Sequence, residues 1–422
     1  MSPLTLFILY AVIFLGGLNL LRIAVMLIAT DLHEIKEHRL KKRTKDNKPT
    51  LPWLTVVIPA YNEEQSIIAS LDSVCKNDYP LFDVIVVDDG SKDRTSELVK
   101  YYMNWHPEAR VHLEEIPNGG KAHALNHAIH KIAFGDLIMC LDADSLLAPD
   151  AISKAVAHFE RNPKMVGMAS NVHVTSGNTA IGVMQKFEYM LSYRLKRALN
   201  LLKSEYIIGG VGSTFRKDFI KDIGMYDTDT MTEDIDLTLK VVSQGNKEFQ
   251  LGFGYDVHTY TQGVLRFGDL VKQRFRWKYG RMQSFLKNRS LFFNRDKKYS
   301  KTLTMFQLPY AVFGEIALLI EPLFVTFIFV SAVLFMDFFS IIWILGFMLF
   351  YMSAVIMNDR QIPFGTRLEL VAQIPVVWLL FYALTLVEFL ALMKCLVRLP
   401  KIKQSMINPK ASSWEHVQRV AM

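Results

Sequence analysis

The chain has 422 residues, 51% of them hydrophobic, and a formal net charge of +7. That length holds one catalytic domain of ordinary size plus extra helices, and three scattered cysteines exclude a disulfide framework. The positive surplus gathers beside apolar stretches, which suits anionic lipid and argues against nucleic acid as a partner.

In chain order, Leu4 to Ala29 carries one charge, Arg22, and is long enough to span a bilayer. It lacks the basic start and small-residue cleavage site of a signal peptide, so residues 1–30 read as a retained anchor. Residues 31–51 read as a basic juxtamembrane linker, in which Lys36, Arg39, Lys41, Lys42, Arg43, Lys45 and Lys48 outnumber four acids. The positive-inside rule then places the middle of the chain in the cytoplasm.

Residues 52–265 alternate strand and helix patterns. Leu54–Ile58, Asp83–Val87, Val111–Leu113 and Leu137–Leu141 are short apolar runs, and the stretches Glu63–Val74, Lys92–Trp105 and Lys121–Ala133 have helical spacing. This alternation predicts an α/β domain with a parallel sheet covered on both faces. Ligands in such sheets sit beyond the carboxyl ends of the strands. Tyr61-Asn62-Glu63, Asp88-Asp89 and Asp142-Ala143-Asp144 all fall at those ends.

Each cluster has a plain reading and a chemical one. Asp88-Asp89-Gly90-Ser91 is either a turn with a helix cap or a pair of acceptors for a ribose or base. Asp142 and Asp144 lie on one side of an extended segment, where hard carboxylate oxygens suit Mg²⁺ or Mn²⁺ and the phosphate it would carry. Asn118-Gly119-Gly120-Lys121 opens a helix, so its glycines and lysine fit either a simple turn or an anion site. No Walker or dinucleotide-binding spacing is present.

Thr232-Glu233-Asp234-Ile235-Asp236 starts an amphipathic helix, and acids there also answer the helix dipole. Asp234 is the candidate base for deprotonating an incoming hydroxyl, with Glu233 supporting the acceptor and Asp236 a solvated helix acid. Residues 266–300 read as an interfacial amphipathic helix, basic through Lys272, Arg274, Arg276, Lys278 and Arg281. Within it Arg276 suits a leaving diphosphate, and Trp277 offers a ring for sugar stacking. Residues 301–398 read as membrane helices near 309–335, 338–357 and 371–394, and 399–422 as a basic cytoplasmic tail. Glu315, Glu321 and Glu388 are costly in lipid and should face protein, water or the interface. One span before the domain and three after it would put the C-terminus outside, whereas Lys394, Arg398, Lys401, Lys403 and Lys410 argue for inside. The charge bias outweighs the count, so one span is expected to lie on the surface or an additional segment to be hidden.

Pro59-Ala-Tyr-Asn-Glu63, Asp88-Asp-Gly-Ser91, Gly120-Lys-Ala-His-Ala-Leu-Asn126, Asp142-Ala-Asp144, Thr232-Glu-Asp234 and Gln273-x-x-Arg276-Trp277 stand here in one order. In this the chain resembles the family-2 processive glycosyltransferases, the group of cellulose, chitin, hyaluronan and poly-N-acetylglucosamine synthases. Asp227-Thr-Asp-Thr-Met-Thr-Glu-Asp234 brings it nearest to the bacterial poly-β-1,6-N-acetylglucosamine branch. It departs by carrying Gln262-Gly263-Val264 where members often have a Pro-Glu pair.

The resemblance implies a GT-A, Rossmann-like domain inserted between transmembrane helices, a UDP-sugar donor and Mg²⁺ or Mn²⁺. By motif, Tyr61, Glu63 and Asp89 would hold the uridine, Asp142 and Asp144 the nucleotide and metal, and Lys121 and Arg276 the diphosphate. Asp234 would be the base, Gln273 and Trp277 would line the acceptor site, and the segment of Gly212 and Ser213 would shape the acceptor terminus. Expected partners are the donor, a growing polysaccharide, the plasma membrane lipid and small membrane or export subunits. A transferase adding one sugar to a lipid acceptor is the alternative.

Overall fold

A computed structural model describes residues 3–43, 51–175, 179–336, 338–359 and 362–407. Helix α1 (Pro3–Arg43) leads into β1 (Leu54–Ala60), a strand buried along its whole length. Val56 and Ile58 join one apolar cluster and Val57 the other, so the period of two sorts β1 onto both faces of the sheet. Then follow α2 (Ile67–Cys75), β2 (Phe82–Asp88), α3 (Thr95–Trp105), β3 (Val111–Glu115), α4 (Lys121–Lys131) and β4 (Leu137–Cys140), in the expected alternation. Helix α2 begins later than its spacing suggests because the preceding loop is tied down. The Glu63 amide donates to Thr95 Oγ1 at 2.8 Å, and the Glu63 carboxylate accepts from Ser66 Oγ at 2.7 Å.

The domain continues through β5 (Ser145–Leu147), α5 (Ala151–Arg161), β6 (Met165–Val174), α6 (Ala180–Leu201), β7 (Ser213–Arg216), α7 (Lys217–Asp222), α8 (Glu233–Ser243) and β8 (Gln250–Thr261). All eight strands form one sheet in the order β3-β2-β1-β4-β7-β6-β8-β5. The expected parallel pairing holds for β3-β2-β1-β4, but β7 is antiparallel to β4 and to β6. The reversal has a simple origin. Residues 209–211 lie at the carboxyl end of β4, beside Asp142, so β7 starts there and must run back through the sheet.

Helices α9 (Phe267–Lys287), α10 (Leu308–Leu334), α11 (Phe338–Met357), α12 (Phe364–Arg398) and α13 (Ile402–Ile407) complete the chain. Among the described residues two helical runs, Thr302–Leu334 and Phe364–Ile407, are long and apolar enough to cross a membrane. The expected linker after residue 30 is instead helical as far as Arg43, and residues 44–50 lie outside the described residues. That part of α1 is docked: Lys41 pairs with Asp256 at 2.5 Å, and Glu37 with Arg161 at 3.5 Å. The expected tail is described only to residue 407, so Lys410 lies outside it.

Candidate active site

A cavity of about 1240 Å³ opens beyond the carboxyl end of β4. Five parts of the chain meet at its wall: Lys121 at the start of α4, Asp142 and Asp144 after β4, Gly209 to Val211, Glu233 and Asp234 at the start of α8, and Gln273, Arg276 and Trp277 on α9. Residues spread from 121 to 277 thus face one space, as expected where a parallel sheet edge holds a ligand.

Lys121 is the hub of the acidic wall. Its Nζ lies 2.5 Å from Asp142 Oδ1 and 3.2 Å from Glu233 Oε1. Burial alone would lower its pKa, yet Asp142 and Glu233 raise it, so the lysine stays charged. Glu233, expected to support an acceptor, is therefore engaged with Lys121. Asp144 is buried and accepts from Ser145 Oγ at 3.1 Å. Two carboxylates of different strand-end positions fit a small divalent cation, which commonly takes one or two protein carboxylates and completes its shell with water and phosphate oxygens. The three-carboxylate group formed among the described residues lies elsewhere, at Asp227, Asp229 and Asp236.

Asp234 is held by two backbone donors: the Ile235 amide reaches Oδ1 at 2.8 Å and the Gly210 amide reaches Oδ2 at 3.1 Å. Burial, then the Glu233 charge, push its pKa up to about 6, against the pull of Lys121. A carboxylate fixed in orientation, more basic than usual and facing the cavity has the attributes of a proton acceptor. On α9, Arg274 lies over the Trp277 ring at 4.3 Å, and both side chains line the cavity. Gln273 Oε1 is buried and has no hydrogen-bond partner among the described residues.

The profile of glycosyl transferase family 2 matches residues 55–224. Residues 55–224 are a glycosyl transferase family 2 domain. The poly-beta-1,6-N-acetyl-D-glucosamine synthases of Staphylococcus epidermidis and of Staphylococcus aureus strain COL are 30% identical to this chain over 268 and 273 residues. These matches cover 62% and 64% of this chain and the same shares of the relatives, so they span less than two thirds of those proteins. A solved mannosyltransferase, PcManGT from Pyrobaculum calidifontis in complex with GDP-Man and Mn²⁺, covers 89% of this chain and 98% of its own at a TM-score of 0.56. At 22% identity that likeness concerns the fold, and it extends beyond the family 2 domain into the C-terminal helices.

Several expected site residues of the family 2 domain stand apart from the cavity wall. Asp89 accepts from the Gly119 and Gly120 amides, both at 2.8 Å, so both carboxylate oxygens hold the loop that presents Lys121. That loop needs glycine at position 120, where φ is +89°. Asp88 caps a different turn, the one after β2, accepting from the Ser91 amide at 2.8 Å and from Ser96 Oγ. Tyr61 and Glu63 are half-buried in the loop after β1, and the wall there is formed by Pro59. Gly212 and Ser213 sit behind the wall: a Cβ on Gly212 would come within 2.5 Å of Thr259 Cγ2, and φ there is +65°. Gly209, Gly210 and Val211 take their place at the surface of the cavity.

Two further expectations change. Asp236 is not solvated; it is 1% exposed and pairs with Lys287 at 2.9 Å. Helix α9 does not turn its basic face to headgroups throughout, because Arg274 and Lys278 are buried. Arg274 pairs with Glu188 at 2.6 Å and Glu388 at 3.3 Å, and Lys278 with Glu388 at 2.7 Å and Glu315 at 2.9 Å. Two of the glutamates expected to be costly in lipid, Glu315 and Glu388, thus find cations on α9, while Glu321 accepts from Thr385 Oγ1 at 3.4 Å. Glu188, Tyr189 and Tyr193 of α6 also line the cavity; no local pattern in the sequence marks them.

Proposed function

We propose that the chain is a membrane-associated inverting glycosyltransferase that polymerises a UDP-sugar, with UDP-N-acetylglucosamine as donor, into a β-linked polysaccharide. The observation that carries this reading is the meeting of Lys121, Asp142, Asp144, Asp234, Arg276 and Trp277 around one cavity. The donor identity is supported by the product in the names of the synthases that match this chain.

In this reading Asp142 and Asp144 hold Mg²⁺ or Mn²⁺, and the ion supplies charge neutralisation at the diphosphate. Lys121 and Arg276 add positive charge beside the departing group. Asp234 takes the proton of the acceptor hydroxyl as that oxygen attacks the anomeric carbon, the bond to the diphosphate breaks and UDP leaves. No covalent enzyme intermediate is required. Tyr61 would act on the uridine from the loop after β1, Glu63 and Asp89 through the loops they order, and Trp277 would stack on the acceptor sugar.

A second reading, transfer of one sugar to a lipid acceptor, is favoured by one observation: Leu390, Met393 and Val397 of the apolar α12 also line the cavity. Product length decides between them. Purified protein in vesicles, given UDP-N-acetylglucosamine and Mn²⁺, should release UDP and build long chains, and a single addition would exclude the polymerase. Asp234→Asn should keep donor binding and lose transfer; loss of binding would remove Asp234 from the role of base.

A further inference from the structure

Helix α12 has 35 residues, about 52 Å at 1.5 Å per residue, against roughly 30 Å for the hydrocarbon of a bilayer. Both of its ends touch the α/β domain or elements docked to it. At the start, Arg367 donates to the Met357 carbonyl at 2.7 Å. Just beyond Met357, Asp359 pairs with Arg194 and Arg197 of α6 at 4.0 and 3.8 Å. Asn358 reaches Asp31 of α1 at 3.2 Å. At the other end, the Arg398 guanidinium lies 4.8 Å over the Phe275 ring of α9, and Ser405 meets Tyr279 at 3.2 Å. The middle is engaged as well. Ile374 and Val377 pack with Phe187 of α6, Leu384 and Val387 pack with Leu270 of α9, and Glu388 pairs with Arg274 and Lys278. From Leu370 to Arg398 the helix packs on α6 or α9, and a helix held in this way along one domain cannot leave that domain's side of a membrane.

Away from these contacts runs an apolar stripe, whose last three members, Leu390, Met393 and Val397, also line the cavity. Val376, Leu379, Leu386, Leu390, Met393 and Val397 recur at spacings of three, four and seven and are all exposed. The stripe ends among exposed Lys394, Arg398, Lys401 and Lys403. It is continuous with α10 and α11, which pack on α12 and expose Phe324, Phe327 and Phe350. We infer that α12 does not cross the bilayer but lies along its surface, with this stripe in the hydrocarbon boundary and the terminal cations on anionic headgroups. The occupant of the face is lipid, and the C-terminal segment lies on the same side as the α/β domain. This accommodates the basic C-terminal end without an additional span.

The test is independent of catalysis. Glu369→Cys, Gln404→Cys and Lys92→Cys are placed singly in a background of Cys75→Ser, Cys140→Ala and Cys395→Ala. Each is reconstituted in sealed vesicles and treated with a membrane-impermeant maleimide before and after permeabilisation. Exposed Lys92 reports the side of the α/β domain. The inference expects positions 369 and 404 to label to the same extent as position 92 in sealed vesicles. Labelling of 369 with 92, and of 404 only after permeabilisation, overturns it. If the cysteine-free protein does not fold, the native sequence with a C-terminal tag serves. Protease outside sealed vesicles should then remove the tag wherever it digests the α/β domain, and a protected tag overturns the inference.

Discussion

A base must be ionised to accept a proton, and the surroundings of Asp234 oppose its ionisation. Burial and the neighbouring Glu233 put its pKa at about 6, so it is protonated below that pH and competent above it. The rate of UDP release should therefore fall about tenfold for each pH unit below 6 and level off above 7. A profile flat down to pH 4.5 would exclude Asp234 as the base. Trp277 depends in turn on Arg274, whose guanidinium is pinned by Glu188 and Glu388 while lying over the indole. Arg274→Lys preserves the charge but loses the planar stack, worth ~1 kcal/mol or about fivefold. The expected outcome is a rise of that size in acceptor KM with donor binding unchanged. The same change made on top of Trp277→Ala should add nothing, because Arg274 acts through the ring. Full additivity would mean that it does not.

At the scale of elements, α8 delivers Asp234 to the cavity, and Lys287 at the end of α9 fixes where α8 begins. Lys287 Nζ lies 2.5 Å from Asp227, 2.7 Å from Asp229 and 2.9 Å from Asp236, so the carboxylates that would suit a cation already surround one. Replacing it in Lys287→Met leaves Asp236 buried without its charge partner. The expected cost is ~3 kcal/mol, toward the lower end for a broken buried pair because Lys287 is partly exposed. Thermal unfolding should show it, and an unchanged Tm would mean the cluster contributes nothing to the fold. This pairing could not be read from the sequence, since its members lie up to 60 positions apart. The strands β1, β2 and β4 were legible because a short apolar run ending in a polar cluster is a local signal. Helix α6 was not: Arg194, Lys196 and Arg197 are buried on it against partners from elsewhere in the chain, so its polar residues do not mark a solvent face. The motifs identified which side chains reach the cavity at Asp142, Asp234 and Trp277. They could not separate these from Asp89 and Gly212, which shape the site from behind it.

For the molecule as a whole, the question is how much apolar surface is left for a membrane once the helices have packed. Helix α12 spends one face on the α/β domain, but α10 spends little: Leu323, Phe327 and Leu334 are 72%, 67% and 72% exposed. Uncovered side chains of that size and number are rare on soluble proteins, whose largest apolar patches are a few hundred Å². Ion pairs such as Lys41 to Asp256 and Arg161 to Glu37 attach α1 to the domain, and salt or alkali would weaken them, yet neither reagent acts on the exposed apolar flank of α10. Washing membranes with alkaline carbonate should therefore leave the full chain in the pellet, and detergent should release it. A chain that carbonate strips away would be held by charge alone. The apolar faces of α10 to α12 would then have to be covered by protein, not lipid.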